Sequence, residues 1–335
     1  MTRIAVYGTG QYGQAVVRLA ERRGWQIVAA FNRAGAKVGQ DVGRLAGLDR
    51  DLGVVVQDCE TVDFSALEAD IGVVTMTDRI SENFDAYQRL LGAGCNVICH
   101  GGEAIHPVAV DADLGARIDQ LARANAVTFT GTGIWDMSRV WSGLLITGPC
   151  TEITSLYHRS LTDTEGFAKE ILLGTGTGMS PEEFDRTVGA ANASMGGLYP
   201  IVMHLVLSAL GYTVTSCTER REPVLLDRAF HCEAIGRDLE AGSCAGMRSV
   251  IEAETAEGVT GLAHMEARVF FRDDDIEHMH WEAEGHPSAR ITVERDDASN
   301  MTIASLFNRI PDVIAAPPGI QLITQLGPMT STARK

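Results

Sequence analysis

The sequence of 335 residues lacks the features of a membrane protein, a disulfide scaffold or a nucleic-acid-binding surface. No apolar run reaches the roughly 20 residues that a membrane-spanning helix needs. The seven cysteines are odd in number and none has C-x-x-C spacing, which argues against a disulfide framework or a zinc site. A formal net charge of −16 argues against general nucleic-acid binding, because phosphates repel an acidic surface.

The amino terminus also lacks the pattern of a signal peptide, since Met1 is followed almost at once by the apolar segment that starts at Ile4. We therefore expect a cytoplasmic protein. The composition, 45% hydrophobic and 21% charged, is typical of a soluble globular protein, and the length is sufficient for two domains.

A glycine-rich turn near the amino terminus is the most informative segment. An apolar strand, Arg3–Tyr7, runs into the G-x-G-x-x-G sequence Gly8–Gly13, which is followed by a helical pattern and by a second apolar strand, Gln26–Phe31. A dinucleotide site needs this order of elements: a strand, a glycine turn, a helix and a second strand. An ordinary strand–helix turn that uses glycines only for its geometry is the alternative.

Each glycine of this turn has a separate role in the proposed dinucleotide site. Gly8 permits the tight turn, Gly10 lets the backbone approach a pyrophosphate, and Gly13 allows close packing of helix on strand. N–H groups at the start of the helix then face the phosphates. With the rim residues that follow later strands, the predicted cofactor-binding residues are Gly8, Thr9, Gly10, Gln11, Tyr12, Gly13, Asn32, Arg33, Thr75 and Thr77.

The end of the second strand predicts which dinucleotide binds. An acid there would favour NAD by binding the ribose 2′-hydroxyl, but this position holds Asn32, followed by Arg33 and, nearby, Lys37. Asparagine does not repel a 2′-phosphate and arginine can pair with it. We predict NADP, with NAD possible; alternatively, Arg33 is a solvated loop residue.

Alternating strands and helices continue to about residue 130 and predict a doubly wound parallel Rossmann sheet over residues 1–130. The segments are the strands Ile71–Met76, Asn96–Cys99 and Val127–Thr130 and the helices Ser81–Gly92 and Asp111–Asn125. Residues 131–300 are expected to form a second domain, of α+β type, with a mostly antiparallel sheet. Its predicted strands are Ile153–Ser160, His264–Phe271, Glu277–Glu284 and Ala289–Arg295, and its predicted helices are Pro181–Asn192 and Tyr199–Leu210.

Several loose motifs occur together in an order that resembles one family. They are Lys37–Gly43 (K-x-G-x-D-x-G), Asn96–Ile98 running into Gly101–Pro107, Gly131–Ile134 (G-T-G-I), and Asn308–Pro311 with Ala316–Gly319. On these motifs the chain resembles the dihydrodipicolinate-reductase-like superfamily, and within it the branch of 2,4-diaminopentanoate dehydrogenases and native amine dehydrogenases.

The resemblance implies a Rossmann domain, a sheet-based substrate and dimerisation domain over residues 131–300, and a homodimer. It also implies that a carboxyl-terminal segment, residues 301–335, returns to the Rossmann domain. It also implies reversible NAD(P)-dependent conversion of an amine to a carbonyl compound and ammonia. The chain departs from the branch where a paired Glu-Glu is Gly102-Glu103, and where Trp135–Ser138 follows G-T-G-I. Leu161 stands where dihydrodipicolinate reductases carry a lysine, which argues against their reaction.

Glu103 is the predicted catalytic residue. Reductive amination needs a proton acceptor near the nicotinamide, and a carboxylate there also stabilises the cationic iminium. Glu103 follows a strand end and a Gly-Gly pair, and it matches the second acid of the branch's motif. The alternative is a glutamate that caps a helix or carries a solvated charge.

Six residues are predicted to line a substrate pocket. The indole rings would form an apolar wall, the aspartate could bind a substrate ammonium group, and the histidine could relay protons; ordinary core packing is the alternative for each. They are Trp135, Asp136, Trp141, His158, Met195 and Tyr199. His278 and His280 share one face of a predicted strand, as two metal ligands would, but the chemistry needs no metal and none is predicted.

Three functions stay open at this point. The leading one is an NAD(P)H-dependent amine dehydrogenase acting on a small carbonyl compound, ammonia and their amine product. The second is an imine or cyclic-imine reductase, which would act on preformed C=N bonds without free ammonia. The third is a non-catalytic NADP-binding sensor.

Overall fold

The computed structural model describes residues 1–133, 135–167, 169–191 and 199–331. The chain forms two compact units. Unit 1 contains residues 1–137 and the carboxyl-terminal segment from residue 300, and unit 2 contains residues 138–299. Within the described residues, none of the helices combines the length and the apolar character that crossing a membrane requires.

The first part of unit 1 alternates strands and helices. Its strands are β1 (Arg3–Tyr7), β2 (Gln26–Asn32), β3 (Val56–Asp58), β4 (Ile71–Val74), β5 (Asn96–Cys99) and β6 (Thr128–Gly131). Its helices are α1 (Gln11–Arg23), α2 (Val42–Leu45), α3 (Ile80–Gly92), α4 (Pro107–Val110) and α5 (Ala112–Ala124).

Unit 2 begins within a π-helical segment, Asp136–Trp141, and is built on long strands. Its helices are α6 (Ser142–Leu145), α7 (Lys169–Gly174), α8 (Pro181–Arg186) and α9 (Pro200–Ala209). Its strands are β7 (Glu152–Asp163), β8 (Val214–Leu225), β9 (Phe230–Cys232), β10 (Arg237–Leu239), β11 (Cys244–Thr255), β12 (Thr260–Arg268), β13 (His278–His286) and β14 (Ala289–Glu294).

The last elements, α10 (Ala298–Ala315) and β15 (Gly319–Ile320), complete unit 1. Its sheet is seven-stranded and parallel, in the order β15-β6-β5-β4-β1-β2-β3. Strand β1 shows why both faces are covered: Ile4 and Val6 pack on the side of α1 and α10, whereas Ala5 and Tyr7 pack on the side of α3 and α5. The predicted doubly wound sheet is confirmed.

Unit 2 contains a six-stranded sheet in the order β14-β13-β7-β12-β11-β8. Only the β7–β12 pair is parallel, so the predicted mostly antiparallel sheet is confirmed. The sequence patterns missed β8 and β11, because polar residues such as Glu219 and Ser249 occupy buried positions of these strands. The helix predicted over 181–192 ends at Arg186, since Thr187 leaves helical geometry with φ −115° and ψ −82°.

Helix α10 is part of the core of unit 1. Phe307 is buried and its ring stacks on Trp25 with centroids 4.5 Å apart. Helix α10 is far from β1 and α1 in sequence, but it contributes buried side chains to the same apolar cluster. They are Ile303, Leu306, Phe307, Ile310 and Val313.

We expect Phe307→Ala to lower the free energy of unfolding of unit 1 by roughly 3–5 kcal/mol, because it leaves a cavity beside Trp25. Ile314→Ala on the same helix is the matched control, since Ile314 is 37% exposed. Native-state hydrogen exchange of β1 amides measures the effect. Equal protection of β1 in both variants would show that α10 does not support this core.

Candidate coenzyme and active site

The turn between β1 and α1 is closed by contacts that require glycine at two positions, one because of its backbone geometry and one because of lack of space. Gly8 has φ +99°, its N–H donates to Phe31 O at 2.9 Å, and its carbonyl accepts from Thr75 Oγ1 at 2.8 Å. A Cβ on Gly13 would lie 1.9 Å from Gly8 O. Glycine is therefore required at both positions by the fold itself.

Gly10 differs from these two glycines. A Cβ there would meet no protein atom within 4 Å, and φ is −74°. The fold therefore does not explain its lack of a side chain, whereas close approach of a ligand does. Gly10 is also the N-cap of α1, a helix of 13 residues with no acid in its first turn. The first-turn N–H groups of such a helix suit a pyrophosphate.

Polar residues from the next loop meet this turn. Lys37 Nζ donates to Thr9 O at 2.9 Å, and Thr9 N donates to Asn32 Oδ1 at 3.5 Å. Thr9 is buried, and its Oγ1 has no hydrogen-bond partner among the described residues. Arg33 follows as an exposed side chain. Asn32, Arg33 and Lys37 thus lie together beside the turn, where the sequence predicted the adenosine ribose.

The loop after β4 is fixed by a residue that the sequence patterns missed. Asn83 on α3 is fully buried, and its side chain donates to Thr77 O at 2.8 Å and accepts from Thr77 N at 3.4 Å. The sequence signal for this contact is a polar residue, Asn83, at a position of the predicted helix that faces the core. Thr75 and Thr77 therefore have defined positions at the carboxyl end of β4.

Glu103 lies in a short 3-10 helix after β5. Its Oε2 accepts from Ile80 N at 2.9 Å, at the start of α3, whereas Oε1 accepts no hydrogen bond from the described residues. Burial raises the pKa of Glu103, while the Ile80 N–H and the Arg79 charge lower it and Asp78 adds to the increase. Glu103 Oε2 thus caps the start of α3, which is the alternative that the sequence left open. Its other oxygen, Oε1, can bind another partner.

His100 is a further residue of this rim that the sequence patterns did not single out. Its ring lies edge-on to Tyr12, with centroids 4.7 Å apart. Its buried Nδ1 has no hydrogen-bond partner among the described residues, and burial lowers the pKa of the imidazole. A neutral imidazole therefore lies at the carboxyl end of β5, beside the first turn of α1.

Asp136 is engaged within unit 1. Its two carboxylate oxygens accept from Arg309 Nη2 and Nε at 2.7 and 2.9 Å, and Thr132 Oγ1 donates to it at 2.9 Å. Both side chains of the Asp136–Arg309 pair are 0% exposed. The sequence suggested a substrate ammonium as the partner of Asp136; within the structure its partner is a guanidinium of α10.

The other predicted pocket residues are distributed over both units. Trp135 belongs to unit 1, Trp141, His158 and Tyr199 belong to unit 2, and Met195 lies outside the described residues. His158 is fully buried and stacks on Trp281, with ring centroids 4.3 Å apart. Its Nδ1 donates to His280 O at 2.9 Å, and burial lowers its pKa well below the usual value.

The two strand histidines considered as metal ligands have partners within unit 2. His278 Nδ1 lies 2.8 Å from Ile276 O. His280 contacts Thr292 Oγ1 through Nδ1 at 2.7 Å and Glu282 Oε1 through Nε2 at 2.8 Å.

Comparison with known proteins gives one family and several similar structures. Residues 143–333 match the family model of the 2,4-diaminopentanoate dehydrogenase C-terminal domain. A curated relative, 2,4-diaminopentanoate dehydrogenase of Acetoanaerobium sticklandii, is 26% identical over 233 residues, which are 67% of this chain and 65% of that protein's length.

The solved structure of amine dehydrogenase from Mycobacterium smegmatis is similar over 100% of this chain and 97% of its own, with 29% identity and a TM-score of 0.86. Biliverdin reductase from Synechocystis sp. PCC 6803, solved with biliverdin and NADP+, shares the fold at 14% identity and a TM-score of 0.55, over 97% of this chain and 95% of its own.

Substitution of Gly10 and Gly13 separates coenzyme binding from folding. We expect Gly10→Ala to raise the Kd for NADPH by about tenfold, or about 1.4 kcal/mol, with a loss of stability below about 1 kcal/mol. Gly13→Ala should lower stability by about 3 kcal/mol, because its methyl group overlaps Gly8 O. Fluorescence titration and urea unfolding measure the two effects. Unchanged NADPH affinity in Gly10→Ala would contradict a pyrophosphate at this turn.

Proposed function

This chain belongs to the 2,4-diaminopentanoate dehydrogenase family, and on that premise we propose that it is an NAD(P)H-dependent amine dehydrogenase. The proposed reaction is the reversible reductive amination of a small ketone or aldehyde with ammonia, with oxidative deamination as its reverse. The observation that carries the proposal is the position of the Glu103 carboxylate on the same sheet rim as the glycine turn, with one oxygen uncommitted among the described residues.

The residues of unit 1 fit a nicotinamide dinucleotide. Gly10 leaves space at the helix start, Lys37 and Arg33 supply positive charge beside the turn, and Thr75 and Thr77 border the rim. The bound coenzyme supplies the hydride, or accepts it in the reverse direction. Overall, one carbonyl compound, one ammonia, one hydride and one proton give one amine and one water.

The proposed work of Glu103 is proton transfer. Ammonia adds to the carbonyl carbon as the carbonyl C=O π bond breaks, and the oxygen takes up one proton from solvent, the proton of the overall balance, to become a hydroxyl. A proton then moves from nitrogen to the Glu103 carboxylate. The protonated acid returns that proton to the departing hydroxyl, which leaves as water. The ionised carboxylate then faces a cationic iminium and stabilises it before hydride transfer.

The coenzyme preference and the assembly are proposed on separate grounds. The end of β2 holds Asn32 instead of the acid that would bind the ribose 2′-hydroxyl of NAD, and Arg33 and Lys37 nearby are positively charged. This supports NADP over NAD.

Resemblance to the family supports a homodimer and a small-molecule substrate. An outer face of the unit 2 sheet carries both charge signs, with Arg159 exposed and Arg248 paired with Glu266 at 2.6 Å, which suits a second copy of the same face. The cytoplasmic location stays a prediction.

Removal of the Arg33 charge tests the coenzyme preference. We expect Arg33→Ala to raise the Kd for NADPH by about tenfold, because a charge-assisted hydrogen bond to the 2′-phosphate is lost. Its effect on NADH should be less than twofold. Arg22→Ala, an exposed arginine at the far end of α1, is the control. Equal losses for NADPH and NADH would leave Arg33 without a role in choosing the coenzyme.

Substitution of Glu103 tests the proposed chemistry. We expect Glu103→Gln to lower ammonia-dependent NADPH oxidation by about 10²–10⁴-fold, with NADPH affinity unchanged, when a panel of ketones and aldehydes is supplied. Glutamine retains an oxygen that can accept from Ile80 N, so the start of α3 stays capped. Glu103→Ala is the matched variant that loses both the cap and the base.

The outcomes separate the three functions. Retained turnover in Glu103→Gln combined with loss of stability in Glu103→Ala would reduce Glu103 to a helix cap. Turnover of preformed imines without ammonia would indicate an imine reductase, and NADPH binding without any turnover would indicate a sensor. Because burial raises the pKa of Glu103, the rate of the parent protein at fixed free ammonia should fall with decreasing pH at a higher pH than for an exposed glutamate.

A further inference from the structure

His100 and Tyr12 form a pair of rings at the rim of the unit 1 sheet that the proposed proton chemistry does not use. Tyr12 lies in the first turn of α1, and His100 is the first residue after β5. Strand β4 lies between β1 and β5 in the sheet, so the pair extends across the end of β4. The ring centroids are 4.7 Å apart, and the rings meet edge-on at 66°.

The backbone on both sides of His100 is held by hydrogen bonds. Thr132 N donates to Cys99 O at 2.9 Å, and Gly101 N donates to Cys99 Sγ at 3.3 Å. A Cβ on Gly101 would lie 2.6 Å from Thr77 O, so the loops that follow β4 and β5 are in close contact. His100 therefore extends from a well-supported segment, as precise binding of a ligand requires.

The His100 ring carries a polar atom whose partner the described part of the chain does not supply. Nδ1 is buried and has no hydrogen-bond partner among the described residues. Buried polar atoms are normally hydrogen-bonded, because a buried atom without a partner loses its hydration without compensation. Thr9 Oγ1, in the glycine turn, is another such atom. These two atoms indicate a polar ligand that extends from the turn to the end of β5.

The surroundings of His100 favour a neutral polar group over an anion. Burial lowers the pKa of the imidazole and Asp78 opposes this decrease, so the ring is neutral at neutral pH. The nearby carboxylates of Asp78 and Glu103 both repel an anionic ligand. A neutral imidazole has one donor and one acceptor nitrogen. A carboxamide both donates and accepts, so it matches Nδ1 in either tautomer.

The order of the strands indicates which part of a dinucleotide reaches this pair. Gly10 leaves space for the pyrophosphate at the start of α1. Asn32 and Arg33 follow β2 on one side of β1, whereas β4 and β5 lie on the other side. A dinucleotide crosses such a sheet where the strand order reverses. With the adenosine half beside Asn32 and Arg33, the nicotinamide half extends towards Tyr12 and His100.

We propose that His100, held edge-on by Tyr12, binds the carboxamide of the nicotinamide ring. The inference rests on the proposed function, because it needs a nicotinamide coenzyme. The assigned role is binding and orientation: a fixed carboxamide sets the position of the ring that carries the hydride. His100 takes up no proton in the proposed reaction, so its role is separate from that of Glu103.

Calorimetric titration of the full chain with NADPH and with 2′-phospho-ADP-ribose tests this assignment. The second ligand keeps the 2′-phosphate and the pyrophosphate but lacks the nicotinamide ring. We expect His100→Phe to raise the Kd for NADPH about tenfold, or about 1.4 kcal/mol, because phenylalanine keeps a ring against Tyr12 but has no polar atom. The Kd for 2′-phospho-ADP-ribose should change less than about twofold.

Two further variants separate the hydrogen bond from the packing of the ring. His100→Asn keeps a donor and an acceptor close to the position of Nδ1, and it should bind NADPH within about threefold of the parent protein. His286→Phe replaces an exposed histidine of unit 2 and is the control for the change of residue type. Its affinities for both ligands should equal those of the parent protein.

The parent protein alone gives an independent test, which does not depend on the folding of any variant. In nicotinic acid adenine dinucleotide phosphate a carboxylate replaces the carboxamide of NADP+. We expect this analogue to bind at least about tenfold more weakly than NADP+, because Asp78 and Glu103 repel the added charge. Equal affinity for the two dinucleotides would overturn the assignment of a carboxamide to this position.

The remaining outcomes are equally decisive. Parent-like affinity of His100→Phe for NADPH would overturn the proposal, and so would equal losses for NADPH and 2′-phospho-ADP-ribose, which would indicate a general effect on the glycine turn. Failure of the parent protein to bind either ligand would refute the coenzyme site of the proposed function as well. NADPH binding without ammonia-dependent turnover would refute the proposed reaction and leave the result for His100 intact.

Discussion

The contact between α1 and the carbonyl of Gly8 is the constraint on which the proposed coenzyme site depends. Gly13 lies so close to Gly8 O that a single methyl group would overlap it, and Thr75 donates to the same oxygen. β1, α1 and the end of β4 are therefore fixed to each other at one atom. Lys37 and Asn32 attach the next loop to Thr9, one residue further on. Contacts within unit 1 thus fix Gly8, Thr9 and Gly13, whereas a Cβ on Gly10 would meet no protein atom within 4 Å.

Buried charge is used differently in the two units. In unit 1 Arg309 is satisfied by Asp136, and the pair joins α10 to the segment after β6 across 173 residues of sequence. Such a pair adds little net stability, because desolvation offsets much of the attraction, but it penalises any packing that would separate its members. In unit 2 Arg139 and Arg295 share one close carboxylate, Glu277.

The sequence predicted what local patterns determine. The glycine turn, both sheet types and the positions of Thr75 and Glu103 at strand ends follow from spacing and apolar runs. Strands β8 and β11 did not, because Glu219 and Ser249 stand at buried positions where the alternation needs apolar residues. Asn83 and Arg309 were also missed. The sequence does not show that Asn83 turns back to the loop six residues before it, and no spacing rule connects Arg309 with Asp136.

In the proposed reaction one acid, Glu103, serves where the motif of the family that the chain resembles has two. Gly102 replaces the first acid of the motif, and its N–H donates to Asp78 Oδ1 at 2.9 Å. A second carboxylate, from the loop after β4, therefore lies beside Glu103 and raises its pKa. The Ile80 N–H opposes this increase and fixes the orientation of the side chain. Burial and Asp78 thus raise the pKa of the proposed proton acceptor while the Ile80 N–H and Arg79 lower it, and these three residues come from the loop that also borders the proposed coenzyme turn.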